Sequence, residues 1–260
     1  MEAKCPSPYN TIGADTIQAD TNMAGKDITM NGKDGAFGGY LATPASGKGQ
    51  GGKAPGVVII QEIFGVNPWV RSVADWYAGQ GYMALALDLF WRIKPGVILD
   101  PMKDDDFKVG FDLYGKFSVD KGVEDVQTAI TTLRGLPGCT GKVGNLGFCL
   151  GGLVSYLTAA RTDTDACASY YGGGINTKLD EADKIKKPTI LHLAGNDAYI
   201  TAEVQDQIKA GVKSNPEVTV YVYPGTDHAF CRSTDPRHYN AEACTLAHSR
   251  TVDLFKNALA

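Results

Sequence analysis

The sequence lacks the features that mark several large classes of protein. It contains no run of about 18 apolar residues, so no membrane-spanning helix is expected. It contains no run of Lys and Arg and its formal net charge is -4, which gives no support for binding to nucleic acid or to a membrane surface. Residues 1–20 are polar and lack the apolar segment of a signal peptide. Together these absences predict a cytoplasmic protein.

Regular cysteine spacing is also missing. The six cysteines include no Cys-x-x-Cys pair and are scattered along the chain, at Cys5, Cys139, Cys149, Cys167, Cys231 and Cys244. This scatter argues against a disulfide framework and against a zinc site. The sequence therefore predicts neither a metal nor a cofactor, and a chain of 260 residues can bury a core large enough to fold without one.

Short apolar runs alternate with helix-length segments along most of the chain. Strands are predicted at 57–60, 83–87, 143–147, 166–171, 189–193 and 218–222, and helices at 69–78, 119–133, 150–160, 202–212 and 242–259. This alternation predicts an α/β fold, with a mostly parallel central sheet and helices on both faces. Residues 1–35 are predicted to be an N-terminal arm that ends in a strand pair, and 36–260 a single α/β domain with an edge strand at 37–42.

Four predicted strands are followed by side chains that can take part in acid–base or nucleophilic chemistry. In chain order these are Glu62, Cys149, Asp197 and His228. Because ligands of open parallel sheets bind outside the carboxyl ends of the strands, we expect these four side chains at one site. The other histidines are predicted to have no catalytic part: His192 in the core, and His238 and His248 at the surface.

The stretch Gly147-Phe148-Cys149-Leu150-Gly151 has the form of a nucleophile elbow, G-x-S-x-G, with cysteine in the serine position. Small flanking residues permit a sharp turn from strand to helix, and the N–H groups and dipole of that helix stabilise a thiolate. The same kind of donor can bind an oxyanion, which points to the backbone N–H groups of Leu150 and Ile63. The motif predicts an α/β-hydrolase whose Cys149 attacks an ester-like bond.

The order of Cys149, Asp197 and His228 is the nucleophile–acid–base order of α/β-hydrolases. His228 is predicted to take the thiol proton and to protonate the leaving group later, while Asp197 orients the imidazole. Glu62 is predicted either to accept the thiol proton or to pair with an arginine, for which Arg232 is the candidate. Arg232 is also a candidate to bind a substrate carboxylate.

The sequence resembles the dienelactone hydrolase (carboxymethylenebutenolidase) family of the α/β-hydrolase superfamily. The similar stretches are 61–67, 147–152, 170–172, 195–197 and 225–232, within a resemblance that runs from about residue 35 to the C-terminus. The resemblance implies hydrolysis of dienelactones to maleylacetate in the breakdown of aromatic compounds.

The resemblance also implies a role for each matching residue. It implies that Cys149, His228 and Asp197 form the catalytic triad, that the backbone of Ile63 and Leu150 forms the oxyanion hole, and that Glu62 and Arg232 form a resting pair. Substrate binding would disturb that pair so that Glu62 activates the thiol.

The sequence departs from the family pattern where a second arginine usually follows an Asp-Pro step. Here Asp100-Pro101 is followed by no arginine, and the three acids of 104–106 are predicted to repel an anionic substrate. Arg92 is predicted to be either a structural ion-pair partner or a substrate-binding residue. Tyr171 is predicted to lie either in the core or in the substrate pocket.

Three functions remain open from the sequence. The first is hydrolysis of a lactone or small carboxylic ester, which makes such a small molecule the expected partner. The second is a broader carboxylesterase or thioesterase activity on neutral esters. The third, from another class, is a non-hydrolytic protein that binds a small molecule or senses oxidation through Cys149.

Overall fold

The computed structural model describes residues 25–45 and 52–260, and most of the predicted arm lies outside these ranges. The strands are β1 Lys26–Gly32, β2 Gly35–Ala42, β3 Ala54–Ile60, β4 Met83–Leu87, β5 Cys139–Phe148, β6 Cys167–Tyr170, β7 Thr189–Ala194 and β8 Val218–Tyr223. The helices are α1 Pro68–Gly79, α2 Asp104–Lys116, α3 Val119–Gly135, α4 Leu150–Arg161, α5 Ala202–Val212 and α6 Ala241–Ala258, with a 3-10 segment at Ile175–Lys184.

The eight strands form one sheet in the order β1-β2-β4-β3-β5-β6-β7-β8. Strands β1 and β2 are antiparallel to their neighbours, and the other six run parallel. The predicted mostly parallel α/β fold is confirmed. The prediction of an edge strand at 37–42 is wrong, because β1 pairs with β2 from Gly35 to Leu41 and takes the edge position. The sheet therefore begins inside the segment that was predicted as an arm.

The centre of the sheet is covered on both faces. Val57 to Ile60 of β3 have no exposed surface, as expected of a continuous β-branched run in a buried parallel strand. The chain moves from β3 to β4 in one direction across the sheet, through α1, and from β4 to β5 in the other direction, through α3. Because such crossovers are right-handed, α1 and α3 lie on opposite faces. Helix α6 packs beside α1, with the rings of Phe255 and Tyr77 6.2 Å apart. None of the helices in the described ranges has the length and apolar character needed to cross a membrane.

Candidate active site

Strand register places Glu62 beside Cys149. Ile60 of β3 pairs with Gly147 of β5, and Glu62 and Cys149 each lie two residues beyond that pair. The two side chains therefore leave adjacent strands at the same level of the carboxyl edge. This placement follows from the parallel pairing alone, since parallel neighbours end at the same side of the sheet.

Cys149 occupies a strained turn between β5 and α4. Its φ and ψ are 54° and -114°, which is unfavourable for a residue with a side chain. Its N–H donates to the Tyr170 carbonyl at 3.0 Å, and its carbonyl accepts from Gly152 at 2.9 Å. Helix α4 begins at the next residue, so the half-buried side chain lies at a helix N-terminus, where unpaired backbone N–H groups can bind a negatively charged atom.

The glycines of the elbow are required by close backbone contacts. A Cβ on Gly147 would lie 2.0 Å from the carbonyl oxygen of Gly151, and a Cβ on Gly151 would lie 2.3 Å from that of Ile60. A Cβ on Gly152 would lie 2.5 Å from the carbonyl oxygen of Tyr170. Helix α4 thus starts in direct contact with the ends of three strands, which fixes the position of the thiol.

His228 is held by Asp197. Their Nδ1 and Oδ2 atoms are 2.8 Å apart, and Oδ1 of Asp197 accepts the N–H groups of Tyr199 and Ile200 at 2.9 and 3.1 Å. Burial opposes a charge on His228, but Cys149, when ionised, and the hydrogen bond to Asp197 outweigh it and raise the pKa of His228 to about 10. Its buried Nε2 is the ring nitrogen left to interact with Cys149, whose side chain also raises the pKa of the imidazole.

Glu62 is paired with Arg232 in the interior. Arg232 Nη1 lies 2.9 Å from Glu62 Oε2, and Nη2 lies 2.9 Å from Asp235 Oδ2. Glu62 is 1% exposed and Arg232 is 5% exposed. Burial disfavours the guanidinium charge, but the carboxylates of Glu62 and Asp235 raise the pKa of Arg232 further above its ordinary value. Within the described ranges, Glu62 Oε1 has no hydrogen-bond partner.

A cavity of about 410 Å³ opens above the thiol. It is lined by Ile63, Phe64, Phe107, Phe111, Tyr114, Cys149, Leu150, Gly173, Asn196, Ala198, Tyr199, Asp227, His228, Arg232 and His238. Both predicted oxyanion residues therefore face the space above Cys149. His238, which the sequence predicted to be a surface residue, is half-exposed at this cavity and lies 3.6 Å from Asp227.

One wall of the cavity comes from α2, a helix that the sequence did not predict. Phe107, Phe111 and Tyr114 recur at steps of four and three, the spacing of one helix face, and this was the signal that could have found it. Gly110 lets α2 lie close to the loop after β3 that carries Ile63, because a Cβ on residue 110 would lie 2.9 Å from the carbonyl oxygen of Ile63. The helix that forms one wall of the cavity thus packs directly against the loop that carries Ile63.

The acids of 104–106 form the first turn of α2 and do not line the cavity. Asp106 accepts the N–H of Asp100 at 2.8 Å, and Asp105 pairs with Lys108 at 3.0 Å. Acidic side chains in this position favour the helix N-terminus. Any repulsion of an anionic substrate by these acids would therefore act from outside the cavity, and it stays a prediction.

Arg92 lies outside the site. Its guanidinium binds Asp125 at 3.0 Å and Asp34 at 2.9 Å, and it does not line the cavity. Asp125 also accepts the indole N–H of Trp91 at 2.9 Å. Of the two roles that the sequence left open, the geometry supports the structural ion pair and not substrate binding.

Tyr171 lies beneath the site rather than in the cavity. It is fully buried, its φ is 39°, and its ring centroid is 5.0 Å from that of His228. Burial, reinforced by the charge of Glu62, raises the pKa of its hydroxyl well above the ordinary value. The geometry thus supports packing against His228 and not direct contact with substrate.

The sheet, the elbow and the strand-end acid and base are those of an α/β-hydrolase. The sequence matches the dienelactone hydrolase family over residues 37–259, and the chain belongs to that family, which confirms the resemblance. A protein of Azospirillum brasilense is 41% identical over 238 residues, spanning 88% of this chain and 96% of that protein. The Pseudomonas putida carboxymethylenebutenolidase is 36% identical over 232 residues, spanning 89% and 96%.

Solved structures show the same fold at lower identity. A crystal structure from Klebsiella pneumoniae superposes with a TM-score of 0.76 at 23% identity, covering 90% of this chain and 99% of that one. At this identity the likeness concerns the fold, and the family rests on the sequence matches.

Proposed function

We propose that this protein hydrolyses a lactone or small carboxylic ester, with Cys149 as the nucleophile. The observation that carries the proposal is the pair of His228 and Asp197, hydrogen-bonded at 2.8 Å at the cavity that also exposes Cys149. Relatives named carboxymethylenebutenolidase support a dienelactone, opened to maleylacetate, as a candidate substrate.

The geometry supports a two-stage reaction. The Cys149 thiolate attacks the carbonyl carbon, and the N–H groups of Ile63 and Leu150 stabilise the oxyanion. The carbon–oxygen bond then breaks, and His228 gives its Nε2 proton to the departing alkoxide. Water attacks the resulting thioester while His228 takes a proton from it, and the thiolate leaves as the carboxylic acid forms. Asp197 holds the imidazole in position for both proton transfers.

Glu62 is proposed to assist in the formation of the thiolate. In the resting state its Oε2 is bound to Arg232, whereas Oε1 is buried without a hydrogen-bond partner among the described residues. A substrate that draws Arg232 away would leave Glu62 as an uncompensated buried carboxylate, which is proposed to accept the Cys149 proton and to return it to the thiolate once the product acid has left. Glu62→Gln keeps the shape and removes this capacity, and we expect kcat to fall about 100-fold or more.

A broader esterase activity on neutral esters is the second candidate. It is favoured by the aromatic wall of Phe107, Phe111 and Tyr114, and by the two carboxylates that already bind Arg232. The two candidates differ in kcat/KM for an anionic lactone and a neutral ester of similar size. An advantage of the neutral ester beyond about 100-fold, or about 2.7 kcal/mol, would replace the first candidate with the second.

The nucleophile is tested with Cys149→Ala, and Cys167→Ala is the matched control because Cys167 is buried in β6, away from the cavity. We expect Cys149→Ala to lower turnover of dienelactone and of p-nitrophenyl acetate about 10⁴-fold or more. The control should keep its rate, and circular dichroism should show both variants folded. Full activity in Cys149→Ala would overturn the proposal.

A further inference from the structure

A second group of reactive side chains lies behind the loop that carries His228. The sulfur atoms of Cys231 and Cys244 and a ring nitrogen of His248 all lie within 4.8 Å of one another. The three residues are 0%, 0% and 2% exposed. Neither the proposed reaction nor the cavity uses any of them.

The fold joins residues that the sequence keeps apart. Cys231 follows β8, whereas Cys244 and His248 lie on α6, four residues apart and therefore on one helix face. The sequence predicted no metal site from the scattered cysteines and placed His248 at the surface. Both predictions depended on local spacing, and the burial of His248 shows the second to be wrong.

The imidazole of His248 is oriented from outside the group. Its Nδ1 lies 3.2 Å from the hydroxyl of Tyr77 and 3.3 Å from the hydroxyl of Tyr170. Histidines that bind metals are commonly fixed in this way, by a hydrogen bond to one ring nitrogen from a group that does not itself touch the metal. The ring position in this protein is thus set by two buried tyrosines.

The donor set selects the class of ion. Two sulfurs and one imidazole form a soft set, which suits copper(I) or zinc and excludes magnesium and calcium. Structural zinc sites are almost always four-coordinate. Three buried donors within 4.8 Å of one another match an ion that accepts three ligands.

We propose that Cys231, Cys244 and His248 form a buried binding site for one copper(I) ion. Binding forms two copper–sulfur bonds and one copper–nitrogen bond and releases the thiol protons, with no change of oxidation state. The ion would connect the loop between His228 and Arg232 to α6. The proposal is independent of the hydrolase mechanism, since none of its ligands belongs to the proposed catalytic group.

The test measures copper(I) affinity under a reductant and zinc affinity in parallel, each by competition with a chromogenic chelator, with native protein and with protein refolded in the presence of the metal. Cys149→Ala serves as the parent, which removes the thiol of the cavity. It is compared with two double variants. The first combines Cys149→Ala with Cys244→Ala, and the second, which is the control, combines Cys149→Ala with Cys167→Ala. Cys167 is equally buried but lies outside the group.

We expect the parent and the control to bind one copper(I) ion more than the Cys244→Ala variant, or to bind it at least 100-fold more tightly. Equal binding in all three proteins would overturn the proposal, as would tighter binding of zinc than of copper(I). If Cys244→Ala fails to fold, X-ray absorption of the copper-loaded parent decides. Two sulfur neighbours and one nitrogen neighbour are expected, and one sulfur or none would refute the site.

Discussion

Two buried histidines of this protein have nearly the same hydrogen-bond geometry and opposite electrostatics. Nδ1 of His228 lies 2.8 Å from a carboxylate oxygen of Asp197, and Nδ1 of His192 lies 2.8 Å from the hydroxyl of Tyr223. Burial opposes the charge of His228, but Cys149 and Asp197 raise its pKa to about 10. Burial, reinforced by nearby cationic groups, lowers the pKa of His192 well below 6.5.

The difference shows that the charge of the partner, and not the quality of the hydrogen bond, decides what a buried imidazole can do. Hydroxyl partners at both ring nitrogens make His192 a neutral bridge between β7 and its neighbours, since Nε2 contacts Thr251 at 3.0 Å. Cys149 and the carboxylate of Asp197 together favour a protonated His228 at the cavity. The sequence prediction that His192 is a core residue is confirmed by its full burial.

The largest expected effect comes from removing the carboxylate that both orients His228 and helps to raise its pKa. Asp197→Asn keeps an oxygen near His228 but removes the carboxylate, and we expect kcat to fall about 10⁴-fold. The matched change at the other histidine, Tyr223→Phe, should leave kcat within about threefold of wild type. Steady-state hydrolysis of p-nitrophenyl acetate measures both. Similar values of kcat for the two variants would contradict the different roles assigned to His228 and His192.

A smaller effect on stability is expected at His192. Tyr223→Phe leaves Nδ1 of a buried imidazole without its hydroxyl partner and also removes the acceptor of an Arg250 hydrogen bond, which together cost about 1–3 kcal/mol of unfolding free energy. Tyr221→Phe on the same strand is the control, because Tyr221 is half-buried and should change stability by less than about 0.5 kcal/mol. Urea unfolding gives both values, and equal losses would contradict the bridging role of His192.

The smallest expected effect is on the pH dependence of stability, to which the two histidines contribute in opposite directions. Because the pKa of His228 is raised, its contribution to stability is complete below about pH 6.5 and is lost as the pH rises through about 10. Because the pKa of His192 is lowered, stability falls as the pH drops below 6.5 through its folded-state pKa. NMR titration of the two imidazoles measures the assignment directly. A His228 that loses its proton near pH 6.5 would refute it.

The sequence predicted those parts of the site that depend on local order. The elbow around Cys149 and the strand-end positions of Asp197 and His228 follow from short motifs and from the rule that parallel strands end at one edge. The chemical roles of these residues stay predictions until the variants above are measured.

Other parts depend on contacts between distant segments, and there the sequence was insufficient. Helix α2 was missed because its three leading acids and Gly110 obscure the aromatic spacing. The burial of His248 depends on Tyr77 and Tyr170, which lie 171 and 78 residues away along the chain. A short sequence pattern around His248 cannot predict contacts with residues so far away along the chain.

The contact of Gly110 with Ile63 has a consequence for how this enzyme can diversify. We expect a substitution that widens the cavity by pushing α2 outward to loosen the Ile63 peptide as well, which is proposed to bind the oxyanion. The range of substrates that fit and the stabilisation of the transition state would therefore both depend on how closely Gly110 packs against Ile63. Directed evolution toward bulkier esters is expected to succeed by shortening Phe107 or Phe111, and to fail by enlarging residue 110.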